Sequence, residues 1–69
     1  MFSIQLDIAH DYPHLDLIRD TKSYDISIKL ITESGPAGGN PLYEFFGQKS
    51  KLEKFCLDND FPTNYIEKV

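Results

Sequence analysis

Residues 24–60, with the sequence YDISIKLITESGPAGGNPLYEFFGQKSKLEKFCLDND, decide the fold. Apolar and polar side chains alternate from Tyr24 to Thr32, and side chains two residues apart share one face of a β-strand. The alternation therefore predicts a strand with one buried face and one solvated face. After a glycine-rich loop, the short aromatic run from Leu42 to Phe46 ends at Gly47 and predicts a second strand.

The loop between the two predicted strands, Gly35 to Pro41, holds three of the four glycines and two of the four prolines. Its prolines stiffen the backbone, and its glycines can adopt the positive φ that most other residues reach only with strain. A phosphate-binding loop would instead place its glycines directly before a helix, where backbone N–H groups converge on the anion. Because Asn40, Pro41 and a strand follow the glycines, we interpret the loop as the connection of a β-hairpin.

A helix is predicted after the second strand by a local capping pattern. The sequence Ser50-Lys51-Leu52-Glu53 matches a capping box, in which the serine hydroxyl accepts a hydrogen bond from the backbone N–H of the glutamate. Leu52, Phe55 and Cys56 then form one apolar stripe that can lie against a sheet. We expect the helix to end near Asn59, as a left-handed cap, because Pro62 bars its continuation.

The N-terminal segment predicts a further strand, because every second residue is apolar: Phe2, Ile4, Leu6 and Ile8. The pattern breaks over residues 10–23, where Pro13 excludes a central strand. This segment fits either a short helical or irregular crossover, which we favour, or the first half of a hairpin that leads to Tyr24. Residues 64–69 fit either a last short strand or a helical turn.

These elements predict a single α+β domain over residues 1–69. The preferred architecture is a small antiparallel β-sheet of three or four strands with one main helix packed on one face. The alternative is the order βαββαβ of ferredoxin-like and ACT-like domains, if both ambiguous segments form the missing elements. A chain of 69 residues buries a small core, so oligomerisation is an available means of stabilising it.

The amino-acid composition limits the cellular locations and the classes of partner that we expect. The net charge of −4 argues against a general affinity for nucleic-acid backbones, which requires clustered Lys and Arg. A single cysteine suits a reducing cytoplasm, no apolar run approaches the roughly 18 residues of a membrane-spanning helix, and the N-terminus shows no signal-peptide pattern. We therefore expect a cytoplasmic protein with neither a membrane nor a nucleic-acid partner.

No arrangement of side chains predicts catalysis or a cofactor. Residues 7–16 contain the ligand types of a divalent metal site, namely Asp7, His10, Asp11, His14 and Asp16. Pro13 breaks a regular helix through the two histidines, so we favour a polar loop without a metal. Cys56 lies on the apolar stripe of the helix, and we expect it to pack in the core. The protein is therefore predicted not to be an enzyme.

The stretch from Ile26 to Asp60 resembles small accessory proteins of tailed bacteriophages. The likeness consists of an alternating strand, a GPxGGNP-like loop, an aromatic strand that ends in glycine and a short lysine-rich helix. It implies a phage-encoded accessory protein that acts in the cytoplasm of an infected cell. The resemblance brings no catalytic residues with it.

The density of aromatic residues points most directly to function. With one helix covering one sheet face, apolar side chains of the second strand are left exposed, and exposed apolar patches commonly mark association surfaces. We therefore predict a small acidic non-enzymatic domain, of adaptor or inhibitor type, that self-associates or binds a larger protein. The predicted contact residues are Tyr43, Phe46 and Tyr65, with Gly38 and Asn40 at the rim. The alternative is an ACT-like regulatory module that binds a metabolite or nucleotide near the loop at a dimer interface.

Overall fold

The computed structural model describes residues 1–9, 12, 14–33 and 39–69 of the chain. Its elements, in chain order, are β1 (Phe2–Asp7), α1 (His14–Ser23), β2 (Ser27–Thr32), β3 (Leu42–Gly47), α2 (Lys49–Asp58) and β4 (Glu67–Lys68). The ambiguous segment before β2 thus contains a helix, as we favoured. The C-terminal segment ends in a short strand, which was one of its two alternatives.

The four strands form one sheet in the order β2-β3-β1-β4, and every neighbouring pair is antiparallel. β1 and β2 therefore run parallel to each other with β3 between them, which is the ferredoxin-like arrangement. The prediction of an α+β domain built on an antiparallel sheet is confirmed, and its element order is the alternative βαββαβ. The glycine-rich loop joins β2 and β3 as a hairpin, and its residues 34–38 lie outside the described part of the chain.

Both helices pack on the same face of the sheet. The cross-strand register places Ile4 opposite Phe45 and Leu6 opposite Tyr43, so these four side chains share a face. They form one buried cluster with residues of both helices: Leu17 of α1, and Leu52, Phe55 and Cys56 of α2. The predicted apolar stripe of the second helix is therefore confirmed. Burial raises the pKa of the Cys56 thiol, which agrees with the expected packing role.

The C-terminus of α2 closes in a Schellman motif. The N–H of Phe61 donates to the C=O of Cys56 at 2.8 Å, and the N–H of Asp60 donates to that of Leu57 at 3.4 Å. Asp60 has the left-handed conformation, with φ 60°. The ring of Phe61 lies 5.9 Å from that of Phe55, which is the hydrophobic contact that accompanies this motif.

The C-terminus of α1 repeats the motif around Asp25, whose φ is 59°. The N–H of Ile26 donates to the C=O of Thr21, and the N–H of Asp25 donates to that of Lys22, both at 3.1 Å. Residues 24–26 therefore close the helix. The strand that the alternation placed from Tyr24 onward begins only at Ser27.

Asn59 does not take the left-handed conformation that the sequence suggested. Its φ is −112°, and its side-chain amide donates to the C=O of Phe55 at 2.8 Å. The left-handed residue is the next one, Asp60. The prediction is wrong by one residue because the packing of Phe61 against Phe55, which is a tertiary contact, sets where the chain turns.

The capping box predicted for α2 is also wrong. The helix begins at Lys49 with Gln48 as its N-cap residue, and no side chain caps its first turn. The C=O of Gln48 accepts a hydrogen bond from the N–H of Leu52 at 3.0 Å, which places Ser50 inside the first turn. Gly47 lies so close to Ile26 that a Cβ at Gly47 would stand 2.8 Å from Ile26 Cγ2. This close packing fixes where the chain leaves the sheet, so the helix starts directly after it.

Asp60→Gly should stabilise the protein by about 0.5–1 kcal/mol, because glycine reaches a positive φ without the steric cost that other L-residues have there. Chemical denaturation measures the gain in the free energy of unfolding. Asn59→Gly is the matched control, and we expect it to destabilise the protein because it removes the side-chain bond to Phe55. Equal effects of the two substitutions would contradict the Schellman assignment.

Gln48→Asp should stabilise α2 by about 1 kcal/mol, because aspartate at the N-cap can accept a hydrogen bond from a first-turn N–H that no side chain now receives. Ser50→Ala should change the free energy of unfolding by less than about 0.5 kcal/mol, as expected for a substitution inside an exposed first turn. Thermal or chemical denaturation measures both. If Ser50→Ala instead lowered the free energy of unfolding by about 1 kcal/mol, the capping box would be supported after all.

Candidate functional site

One face of the sheet carries neither helix, and we refer to it as the uncovered face. Side chains alternate along each strand, so the residues between the core positions point away from the helices. The uncovered face is formed by Ser3, Gln5 and Asp7 of β1, Ser27, Lys29 and Thr32 of β2, Leu42, Glu44 and Phe46 of β3, and Glu67 of β4. It is a mixed surface on which polar residues surround a few apolar ones.

Phe46 lies at the centre of one end of this face. It belongs to β3, which has a strand on each side, and its cross-strand neighbours are Ser3 on β1 and Ser27 on β2. Both neighbours have small side chains, so the half-buried aromatic ring rises above the residues beside it. Phe46 therefore presents part of an aromatic ring to solvent on this face.

A depression of about 300 Å³ lies on the β1–β4 side of this face. Its lining contains two carboxylates and one aromatic ring, and we refer to it as the acidic depression: Ser3, Ile4, Gln5, Glu44, Tyr65 and Glu67. Tyr65 is 62% exposed, so its ring forms a wall and not a floor. The depression combines negative charge with an aromatic surface, which suits a cationic group.

A second depression, of about 330 Å³, lies beside Phe46 at the end of the sheet from which α2 begins. Its lining includes Met1, Asp25 and Lys51. The Lys51 ammonium donates a hydrogen bond to the Asp25 carboxylate and holds the pKa of Asp25 below its usual range. Phe46 therefore lies between the acidic depression on one side and the Lys51–Asp25 ion pair on the other.

The residues predicted to bind a partner fall into different environments. Phe46 and Tyr65 lie on or beside the uncovered face, and Asn40 is exposed. Tyr43 is only 6% exposed and packs in the core, with its ring 6.3 Å from that of Phe45, so its assignment to a contact surface is corrected. Gly38 lies outside the described residues.

Sequence reasoning missed the serines beside Phe46 and the acidic depression. The alternation of Ser3, Gln5 and Asp7 marks the polar side of β1, but the sequence does not show which residues of other strands lie next to them. The register supplies this information, because it sets Ser3 beside Phe46 and Gln5 beside Glu44. The sequence therefore shows which residues of each strand share a face, but it does not show which residues of neighbouring strands meet to form the depression.

The suggested metal ligands are only partly described. Asp7 ends β1, and Asp16 lies in α1, where the Arg19 guanidinium contacts its carboxylate at 3.1 Å. His10 and Asp11 lie outside the described residues, and the side chain of His14 is not described. Within residues 1–9, 12, 14–33 and 39–69, no three potential ligands group together.

No protein-family model matches this chain, and no curated protein or solved structure matches it. Across the described residues, no helix has both the length and the apolar character needed to cross a membrane. Function is therefore inferred from the geometry and the charge of the uncovered face.

Two carboxylates connect the end of α1 to α2, and both have a lowered pKa. Asp25 accepts from Lys51, while Asp58 accepts from the Tyr24 hydroxyl at 2.6 Å and from the Lys54 ammonium at 3.3 Å. Each of these contacts favours the ionised carboxylate, so the pKa of Asp25 and that of Asp58 lie below 3.8. Protonation of these groups therefore opposes folding.

Because the folded state lowers these two pKa values, their contribution to stability is complete above pH 3.8 and is lost as the pH falls through the folded-state values. The free energy of unfolding should therefore decrease with acidification below about pH 4. The double substitution of Asp25→Asn and Asp58→Asn should make this decrease shallower, as measured by denaturation at stepped pH. An unchanged slope would show that other groups control the acid transition.

Proposed function

We propose that this protein is a small non-enzymatic binding domain that docks on another protein through its uncovered face, with Phe46 and Tyr65 as aromatic contacts. The observation that carries the proposal is the position of Phe46, between Ser3 and Ser27 on a sheet face that no described helix covers. An aromatic side chain with small neighbours offers a large contact area. Aromatic residues are enriched at the energetic centres of protein interfaces.

The composition of this face supports a protein partner. Apolar and aromatic side chains, Met1, Phe46 and Tyr65, lie among serine, glutamine and charged residues, as in an interface with an apolar centre and a polar rim. Three carboxylates and one ammonium lie on the strands of the face: Asp7, Glu44, Glu67 and Lys29. This excess of negative charge disfavours phosphate backbones and favours a partner with basic side chains.

The size of the face limits how the partner engages it. Strands spaced about 4.8 Å apart, with a rise of about 3.3 Å per residue, give three six-residue strands and the two-residue β4 a flat area of about 300 Å². A standard interface buries about 800 Å² on each partner. A stable complex therefore uses the whole uncovered face together with its rim, which includes Tyr65 and the exposed Asn40.

The bacteriophage resemblance of residues 26–60 fits this proposal. It suggests an accessory protein that acts in the cytoplasm by binding a host or phage protein, as an adaptor or an inhibitor. A second copy of the chain is the other partner considered, because a domain of 69 residues gains stability from association.

Phe46→Thr should weaken partner binding by about tenfold or more, because it removes the aromatic contact while supplying a residue that also favours β-strands. The measurement is quantitative capture of a bacterial lysate protein by the tagged chain. Leu57→Gln is the matched control, because Leu57 is 68% exposed on α2, which packs on the opposite face. Capture should be retained by Leu57→Gln, and the melting temperature of both variants should stay within a few degrees of the wild type.

Sedimentation of the chain alone at micromolar concentration separates the two kinds of partner. A dimer that Phe46→Thr converts to a 7.9 kDa monomer identifies the second copy, and a monomer that captures a lysate protein identifies a heterologous partner. Equal capture by the wild type and by Phe46→Thr, with no dimer in either, would contradict the role of the uncovered face.

A further inference from the structure

The outer edge of β1 is only partly paired. β1 pairs with β3 along all six residues, but it pairs with β4 only at Phe2 and Ser3. No described strand lies beside Gln5 and Asp7 on this side of the sheet. The sheet therefore has an open edge directly next to its shortest strand.

Two hydrogen bonds show which backbone groups point to that edge. The N–H of Val69 donates to the C=O of Met1, on the β4 side, and the N–H of Ile8 donates to that of Pro41, on the β3 side, each at 3.0 Å. Backbone groups alternate in direction along a strand, so odd-numbered residues of β1 point to the β4 side. The N–H and C=O groups of Gln5 and Asp7 therefore point outward, with no partner strand among the described residues.

The acidic depression borders the same edge. Gln5 and Ser3 line it, together with the carboxylates of Glu44 and Glu67 and the ring of Tyr65. Ser3 is only 9% exposed, and it is one of the residues that β1 contributes to this lining.

We infer that this edge binds an extended segment of a partner protein, which adds as a strand beside β1 and places one Lys or Arg side chain in the acidic depression. The inference rests on the proposed binding function and names the class of partner. Addition of a strand to an exposed sheet edge is a common mode of peptide recognition, in which backbone hydrogen bonds supply affinity and side-chain pockets supply specificity.

The register determines which side chain of the added strand enters the depression. Directly opposite residues of neighbouring strands face the same side, and Gln5 faces the uncovered side next to Glu44. The partner residue opposite Gln5 therefore projects over the uncovered face, within reach of the two glutamates. A guanidinium or ammonium there pairs with the carboxylates and can lie on the Tyr65 ring.

Charge and edge protection argue against the other occupants. If a second copy paired its own β1 edge here, two acidic depressions would be brought together, and like charges would repel. The opposite edge of the sheet, β2, carries Lys29 and a register irregularity between Leu30 and Thr32. A lysine and a bulge are features that protect edge strands from pairing. The β1 edge is therefore the one available for a heterologous strand.

The test uses the full chain and a labelled six-residue peptide, TVRVTV, followed by fluorescence anisotropy. The matched control peptide has citrulline in place of arginine, which keeps the shape and removes the charge. We expect the arginine peptide to bind at least about tenfold more tightly and to weaken as salt is raised. In amide-resolved NMR, the signals of Gln5 and Asp7 should shift and become protected from hydrogen exchange.

Substitutions at the edge test the two parts of the site separately. Gln5→Pro removes one outward N–H and leaves the ladder with β3 intact, so it should weaken binding about tenfold. Leu57→Gln, on the exposed side of α2 and away from this edge, should bind like the wild type. If Gln5→Pro does not fold, an ester in place of the Gln5 amide, introduced by chemical synthesis, removes the same donor. Glu44→Gln should reduce the preference for arginine over citrulline.

Equal binding of the two peptides, no binding by the wild type, or shifts confined to residues away from β1 would overturn the inference. A dimer in sedimentation that Gln5→Pro abolishes would also overturn it, because the occupant would then be a second copy. If the peptide fails to bind while capture remains dependent on Phe46, only this inference fails, and the proposed function stands. If the peptide binds and capture does not depend on Phe46, the proposed role of Phe46 fails and the strand-binding edge stands.

Discussion

The ring of Phe55 lies where four parts of the chain meet, and the rest of the structure depends on its contacts. It is fully buried, and three other rings surround it: Tyr24 at 5.4 Å, Phe45 at 5.2 Å and Phe61 at 5.9 Å. These rings belong to the end of α1, the centre of the sheet and the cap of α2. One side chain therefore joins both helices to the sheet, and a chain this short has few other residues with which to do so.

The limited core also explains why the sheet has an uncovered face. Two ten-residue helices cover one face of a four-stranded sheet, and the part of the chain that the structure describes contains no further long element over the other face. The second face is therefore built from polar residues that tolerate water, interrupted by Phe46 and Leu42. An uncovered face of this kind follows from one-sided packing.

The short strand β4 leaves part of the sheet edge unpaired among the described residues. Because it pairs with only two residues of β1, the edge beyond Ser3 is left open at the place where two glutamates and Tyr65 gather. The uncovered face and the open edge meet at Ser3 and Gln5, so one partner can use both. Phe46, proposed as an aromatic contact, and the depression, inferred to receive a basic side chain, lie on a single continuous surface.

The sequence by itself determined the types of element and the faces of the strands. Alternation in residues 2–8 and the stripe of Leu52, Phe55 and Cys56 were enough to predict a half-buried strand and a helix packed on a sheet, because both depend on local periodicity. Alternation also put Tyr43 and Phe46 on opposite faces of their strand, but it could not show that the face with Tyr43 is the one in the core.

Tertiary structure alone decided the register, the helix ends and the site. The contact of Gly47 with Ile26 moved the start of α2 ahead of the capping pattern, and the packing of Phe61 on Phe55 put the left-handed turn at Asp60. The neighbours of Phe46 and the open edge at Gln5 depend on which strands lie side by side. These features join residues far apart in the chain, and local patterns carry no information about such pairings because periodicity repeats within one element only.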